Sequence, residues 1–302
     1  MVDLELSWPD AAIAAACLAG AAAGARLSGR PRLVTAAAFA GETALVLGLF
    51  ALWQLAGSFA IAGTGDALKR ARWIWHLERA VHLPSEAVVQ RAFLPHPIVV
   101  QGLDLYYAAL HFPVLIACLI WLFVRYRRQY RHVRTTLVLF TASCLLVQFI
   151  PVAPPRMLAG DGMVDTAMRY GQSVYGSVAG FNADQLSAMP SVHVGWALLV
   201  ALVVVQVSRS PWRWLALGYP ALTVLAVVVT ANHNWLDGIA AALILALVLL
   251  VQRASRVAAG RLMAGRRRGG PRPSGGQPSN RQPRAGEPVE PSYVPERPAV
   301  DA

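Results

Sequence analysis

The chain has 302 residues, of which 56% are hydrophobic and only 14% are charged, and its mean hydropathy is +0.47. This composition excludes an ordinary soluble domain and is typical of an integral membrane protein. The formal net charge of +11 would suit nucleic-acid binding, but the arginines cluster between apolar segments and near the C-terminus. That pattern indicates membrane topology, so we expect no nucleic-acid partner.

Seven apolar runs are long enough, or nearly so, to cross a bilayer, which takes about 20 residues. They predict an all-α, polytopic membrane bundle of six to seven transmembrane helices. The runs lie at residues 10–26, 33–62, 104–124, 135–151, 190–207, 212–231 and 237–252. Acidic rather than basic residues precede the first run, which therefore predicts a membrane span and not a cleaved signal peptide.

The loops after the first, third, fifth and last runs are rich in arginine. Because basic loops stay in the cytoplasm, the opposite helix ends are predicted to face the extracytoplasmic side of the plasma membrane. Lys69, Arg70 and Arg72 do not fit this topology, because it places these basic residues on the extracytoplasmic side. They belong to the tryptophan-containing segment 63–102, which predicts one or two amphipathic helices in the outer membrane interface.

The chain is predicted to have three regions. Residues 1–62 form an N-terminal transmembrane region, and residues 63–252 form the membrane domain that carries the chemistry. Residues 253–302 are rich in Arg, Gly, Pro and Ser, with too few apolar residues to offset the entropy of ordering, and predict a disordered cytoplasmic tail.

Ionisable side chains are costly near membrane spans unless they are used, and two runs begin with them. His193 opens the fifth run, and His233 and Asp237 open the last one. Between the two histidines the chain crosses the bilayer twice, so both are expected at the same outer face.

On a helix, His233 and Asp237 would share one face. The carboxylate would then hold the proton of one ring nitrogen and leave the other free to attack. An ordinary ion pair on a helix surface is the plainer alternative.

Two further residues suit a phosphate group. Ser191 follows a proline at a predicted helix start, where unpaired backbone amides favour an anion, although it would also serve as a simple N-cap. Arg156 follows a proline-rich turn at the outer end of the fourth run, and arginine binds phosphate oxygens in a bidentate manner. These residues predict a binding site for a phosphate ester.

Three segments resemble, in order and spacing, the motifs of the type-2 phosphatidic acid phosphatase superfamily. They are Pro-Arg at 155–156, Pro-Ser-Val-His at 190–193 and His-Asn-Trp-Leu-Asp at 233–237. Residues 188–196 and 232–237 are more similar to its inositol phosphotransferase branch, which is inositol phosphorylceramide synthase-like. The resemblance covers roughly residues 70–250. It implies a helical-bundle core, lipid phosphate or phosphodiester substrates, and no metal or organic cofactor.

The resemblance also implies roles for the site residues. His233 would be the nucleophile that forms a phosphohistidine, oriented by Asp237, with Arg156 and Ser191 binding the phosphate. His193 would protonate the leaving oxygen and then activate water or an acceptor hydroxyl.

The sequence departs from the superfamily pattern at two places. Phe149 replaces the lysine of the first motif, and Ala226 and Val227 replace the Ser-Arg pair of the third. Arg156 is then expected to carry more of the phosphate charge alone. A phosphodiester with one negative charge is favoured over a doubly charged monoester.

Other polar residues receive weaker interpretations. Tyr107 and His111 are predicted to line the cavity, with a buried, hydrogen-bonded histidine as the alternative. Glu42 lies inside an apolar run, and this position makes it a candidate functional residue. No catalytic role is assigned to it. Glu78 and Glu86 are expected to be solvated rather than catalytic.

The favoured function is a membrane lipid phosphatase or phosphotransferase. One rival is a non-enzymatic membrane protein that binds a metal or haem through His193 and His233, with His111 as a candidate third ligand. Arg156 would repel a cation, which argues against it. A transporter is a second rival, but no matched pair of broken spans supports it.

Overall fold

The computed structural model describes residues 7–61, 64–171 and 186–268. Within these ranges the regular structure is helical, apart from one isolated β-bridge between Val152 and Ser187. The α-helices are α1 (Trp8–Leu27), α2 (Val34–Ile61), α3 (Thr64–Ala80), α4 (Glu86–Phe93), α5 (Pro97–Leu105), α6 (His111–Arg125), α7 (Arg127–Gln148), α8 (Thr166–Arg169), α9 (Val192–Val207), α10 (Gly218–Val229) and α11 (Trp235–Arg268). The predicted all-α membrane bundle is confirmed.

Within the described ranges, five helical segments are long and apolar enough to cross a membrane. They are Trp8–Leu27, Ala36–Leu55, Pro97–Arg125, Pro211–Val229 and Trp235–Arg261. The other two predicted runs correspond to α9, which has only 16 residues, and to α7, whose first turns are basic. Residue 62, the end of the second predicted run, lies outside the described residues.

The last helix is longer than predicted. It continues to Arg268, 16 residues beyond 252, because Ala, Leu, Met and Arg in this stretch are strong helix formers. Residues 269–302 of the predicted tail lie outside the described residues. The described residues up to 255 form one compact unit, and the division of this part of the chain at residue 62 stays a prediction.

Two helices and the start of a third occupy the segment 63–102, where amphipathic helices were predicted. In α3 the small or apolar residues Ala67, Ala71 and Ile74 are buried against a cluster that includes Ala153 and Ala188. Trp73, on the opposite face, is 64% exposed. The buried residues follow the i, i+4, i+7 spacing of one helix face, so α3 is amphipathic as expected.

The close approach of α9 to α7 depends on one glycine. Phe140 of α7 is fully buried, and its ring occupies the space where a Cβ on Gly195 would be. Because Gly195 follows His193 by only two residues, this contact fixes the first turn of α9, at the end of the bundle where α7 ends and α9 and α11 begin. We call this end the site end.

Replacing Gly195 with alanine is expected to destabilise the bundle by about 1–3 kcal/mol, because the new methyl group overlaps a fully buried ring. Thermal unfolding of the purified protein measures the effect. Phe140→Leu should relieve part of the loss in the double variant. Gly102→Ala is the matched control, since a Cβ there meets nothing within 4 Å. Equal behaviour of the two alanine variants would contradict this packing.

Glu42, which the sequence flagged without a role, pairs with Arg134. The Arg134 Nη1 donates to the Glu42 Oε1 between α7 and α2. Both side chains are partly buried, with exposed fractions of 34% for Arg134 and 39% for Glu42. The carboxylate therefore has a cation as partner within its apolar run, and the pair ties the N-terminal helices to the rest of the bundle.

Removing one member of this pair leaves the other charge without its partner in an apolar setting, which costs up to about 3 kcal/mol. Glu42→Leu and Arg134→Leu should each lower the thermal unfolding midpoint. The double leucine variant should lose less than the sum of the two, which a double-mutant cycle detects. Strict additivity would show that the ion pair contributes nothing.

Candidate active site

A tight turn between α10 and α11 presents His233. Ala231 adopts a left-handed conformation with φ of 55°, which costs a non-glycine residue roughly 1 kcal/mol. The next two backbone amides, of Asn232 and His233, both donate to the Val227 carbonyl at 3.0 and 3.1 Å. The chain thus reverses within a few residues and holds the backbone of His233 against the end of α10.

The ring of His233 is fixed by a backbone carbonyl. Its Nδ1 lies 2.7 Å from the Ala188 carbonyl oxygen and 3.5 Å from the Asp237 Oδ2. Because a carbonyl only accepts hydrogen bonds, Nδ1 carries the proton. The Nε2 atom is buried and has no hydrogen-bond partner within the described part of the chain. With the proton on Nδ1, the tautomer of this ring has its lone pair on Nε2.

This geometry corrects one expectation from the sequence. His233 does not share a helix face with Asp237, because α11 begins at Trp235. The Asp237 Oδ2 accepts a hydrogen bond from the Asn234 amide at 2.9 Å, as carboxylates do at helix N-termini. The Ala188 carbonyl is thus the nearer acceptor for the Nδ1 proton, and Asp237 is the more distant second one.

Ala188 is itself held by the short β-bridge. The Val152 amide donates to the Leu186 carbonyl at 2.7 Å, and the Ala188 amide donates to the Val152 carbonyl at 3.1 Å. This pairing joins the segment that follows α7 to the segment that precedes α9. It therefore connects the loop that carries Arg156 to the carbonyl that orients His233.

Arg156 is anchored to the same turn as His233. Its Nη1 donates to the Asn232 Oδ1, and its backbone amide donates to the Ala231 carbonyl at 3.1 Å. The side chain is only 3% exposed, and its Nε lies 3.6 Å from the Asp165 Oδ2. The guanidinium is therefore held against Asn232, the residue before His233, with its charge partly offset by Asp165.

Ser191 and His193 begin α9 next to His233. Ser191 is fully buried and is the N-cap, with its side chain accepting from the Val194 amide at 3.5 Å. Its own amide donates to the Asp237 carbonyl at 3.0 Å. The ring centroids of His193 and His233 are 6.0 Å apart. The structure thus brings the two predicted histidines together at the site end.

Tyr107 and His111 lie on the far side of His193. The Tyr107 ring centroid is 4.5 Å from that of His193 and 6.3 Å from that of His233. His111 is 3% exposed, lies 4.9 Å from His193 between centroids, and forms a hydrogen bond of 3.1 Å between its Nδ1 and the Tyr219 hydroxyl. Both residues are therefore next to the histidine pair, and a cavity-lining role stays a prediction.

The expectation that Glu78 and Glu86 are solvated is wrong. Glu78 is 0% exposed and Glu86 is 2% exposed. Burial, followed by the neighbouring Glu86 carboxyl, raises the pKa of Glu78 to about 9. The helical spacing could have revealed this, because Glu78 continues the buried face of α3 set by Ala71 and Ile74.

The two departures from the superfamily pattern leave apolar side chains near the site. Ala226 is 0% exposed and Val227 is 2% exposed, and Phe149 ends α7 as its C-cap. None of the three supplies a positive charge for an anion. In the described residues, no group of three or more His, Cys, Asp or Glu side chains is arranged to hold a metal ion.

A family model of the PAP2 superfamily matches residues 72–251, which is more than half of the 302-residue chain. The match extends from α3 into α11 and includes every predicted site residue. No curated protein and no solved structure matches the sequence. With its helical membrane bundle and this family match, the chain belongs to the PAP2 superfamily.

Proposed function

We propose that the protein is a membrane enzyme that hydrolyses or transfers the phosphate group of a lipid through a phosphohistidine on His233. One observation carries the proposal. The Nδ1 of His233 is bound to a carbonyl at 2.7 Å, while its buried Nε2 has no partner among the described residues. A ring held in this way is a ready nucleophile. Superfamily membership supports a lipid phosphate as the substrate class.

In the first step, Nε2 of His233 attacks the phosphorus and the bond to the leaving oxygen breaks. His193, in its protonated form, gives the leaving oxygen its proton. The ring of His233 becomes cationic when it is phosphorylated at Nε2, and both the Ala188 carbonyl and the Asp237 carboxylate near Nδ1 stabilise that charge. Arg156 and the amides at the start of α9 would stabilise the phosphoryl oxygens.

In the second step, water or an acceptor hydroxyl attacks the phosphohistidine, and the phosphorus–nitrogen bond breaks. His193, now neutral, takes the proton of the attacking oxygen. A phosphatase and a phosphotransferase share this intermediate and differ only in the acceptor. The similarity of residues 188–196 and 232–237 to the inositol phosphotransferase branch favours transfer to a hydroxyl-bearing acceptor.

The charges around the site favour a phosphodiester. Arg156 shares its charge with Asp165 at 3.6 Å, and the positions held by Phe149, Ala226 and Val227 add no cation. A doubly charged phosphomonoester would meet little compensating charge. A diester brings one negative charge and so has the smaller desolvation cost.

We also propose that the site faces the extracytoplasmic side of the plasma membrane. The arginine-rich segments after α1 and α6 and at the start of α7 lie at the opposite end of the bundle from His193 and His233. Basic loops remain in the cytoplasm, which puts the site end outside.

Replacing His233 with alanine should lower turnover by at least about 10³-fold, because the nucleophile is lost while the other site residues remain. Release of phosphate or head group is measured with purified protein, a panel of lipid phosphates and phosphodiesters, and a chelator present throughout. Wild type should also trap an acid-labile phosphorylated protein that is missing in the variant.

His96→Ala is the matched control, since His96 is an exposed histidine that makes no side-chain cap, and it should keep full activity. Unchanged turnover in His233→Ala, or loss of wild-type activity to the chelator, would overturn the mechanism.

Asp165→Asn should shift the preference toward phosphomonoesters, because it removes the negative charge next to Arg156. Asparagine keeps the N-cap that Asp165 makes to the Met168 amide, since both residues are good N-caps. The ratio of monoester to diester kcat/KM is expected to rise roughly fivefold, which corresponds to ~1 kcal/mol for a partly exposed pair. An unchanged ratio would show that Asp165 does not tune the phosphate charge.

A further inference from the structure

The corner between α3 and α4 holds the first turn of α11. The Glu78 Oε1 accepts a hydrogen bond from the Leu236 amide at 2.7 Å. One residue earlier, the indole nitrogen of Trp235 donates to the Pro84 carbonyl at 2.8 Å. Two contacts from one corner therefore fix the backbone that runs from His233 to Asp237.

The surroundings of Glu78 contain more carboxyl groups than cations. The Arg79 Nη2 lies 2.8 Å from the Glu86 Oε2 and 3.9 Å from the Glu78 Oε2, and it also donates to the Pro84 carbonyl. Arg79 is thus engaged mainly with Glu86. Asp237, in the first turn of α11, is fully buried as well.

Burial first, and then the Glu86 and Asp237 carboxyl groups, keep the pKa of Glu78 near 9. At physiological pH the group is therefore a neutral carboxylic acid. A neutral acid accepts the Leu236 amide through one oxygen and keeps its proton on the other. It adds no second negative charge beside Asp237.

We propose that Glu78 is a positioning residue that holds the first turn of α11 and so aligns His233 and Asp237 for phosphoryl transfer. It acts through the Leu236 amide and does not touch the substrate. The inference rests on the proposed function in that its main readout is turnover.

Three variants distinguish a Glu78 side chain that acts as an uncharged hydrogen-bond acceptor from one that only fills space. Glu78→Gln keeps an oxygen for the Leu236 amide and has no charge, so its turnover at pH 7 should stay within about threefold of wild type. Glu78→Ala removes the acceptor and Glu78→Asp shortens its reach. Both should lower kcat by about tenfold or more, because small misplacements of reacting groups are costly. KM for the lipid should change little. Asp66→Ala, an exposed carboxylate on the same helix, is the matched control.

The pH profile gives a second readout. In wild type, ionisation of Glu78 near pH 9 would put a new negative charge among Glu86, Asp237 and the occupied Arg79, and turnover should fall at alkaline pH. Glu78→Gln cannot ionise there and should lose less activity above pH 9.

Thermal unfolding gives a third readout that does not depend on activity. The folded pKa of Glu78 is raised, so the unfolded chain releases this proton above about pH 4.5 and the folded chain only near pH 9. This group therefore makes wild type less stable as pH rises through that window. Glu78→Gln lacks this contribution, and its midpoint should fall less between pH 5 and pH 8.

The outcomes are distinct. If wild type transfers no phosphate from any lipid tested, the proposed function fails, while the unfolding comparison still decides whether Glu78 is neutral in the fold. Equal unfolding profiles for wild type and Glu78→Gln would overturn the neutral state. Full activity of Glu78→Ala, or equal loss in Glu78→Gln and Glu78→Ala, would overturn the positioning role.

Discussion

The hydrogen bond between the His233 Nδ1 and the Ala188 carbonyl is the constraint on which the rest of the site depends. It decides which ring nitrogen carries the proton, and it fixes the ring plane relative to His193. Each partner is held in turn by backbone contacts, His233 through the Val227 carbonyl and Ala188 through Val152. The arrangement therefore comes from the fold of two distant segments and not from the local sequence of either one.

The polar atoms at this end of the bundle are only partly satisfied. In the described residues, the His233 Nε2, the His111 Nε2, both polar atoms of the Asn234 side chain and the Asp237 Oδ1 are buried without a hydrogen-bond partner. Buried polar groups without partners cost free energy, and proteins concentrate them where a ligand completes them.

Much of the fold and part of the site could be predicted from the sequence. Apolar length predicts the helices directly, and the separation of His193 from His233 by two crossings predicts their meeting at one end. The role of Ala188 could not be predicted, because a backbone carbonyl leaves no mark in the residue type. Glu78 was misjudged because it was interpreted from its charge, although its spacing from Ala71 and Ile74 places it on the buried face of α3. Its hydrogen-bond partner, the Leu236 amide more than 150 residues away, could not be predicted. His233 and Asp237 were expected on one helix, but α11 begins only at Trp235, and a capping aspartate and a helical ion pair look alike in sequence.

The length of α9 has a consequence for where the chemistry occurs relative to the lipid. Its 16 residues rise about 24 Å, which is short of the ~30 Å hydrocarbon core of a bilayer. With its C-terminal end at one surface, the first turn with Ser191 and His193 lies below the opposite head-group plane, or the bilayer thins around it. A lipid ester can reach that depth by lateral diffusion within its own leaflet, whereas bulk water must penetrate to it. An amphiphilic alcohol anchored in the same leaflet then has a higher local concentration at the proposed phosphohistidine than it has in solution.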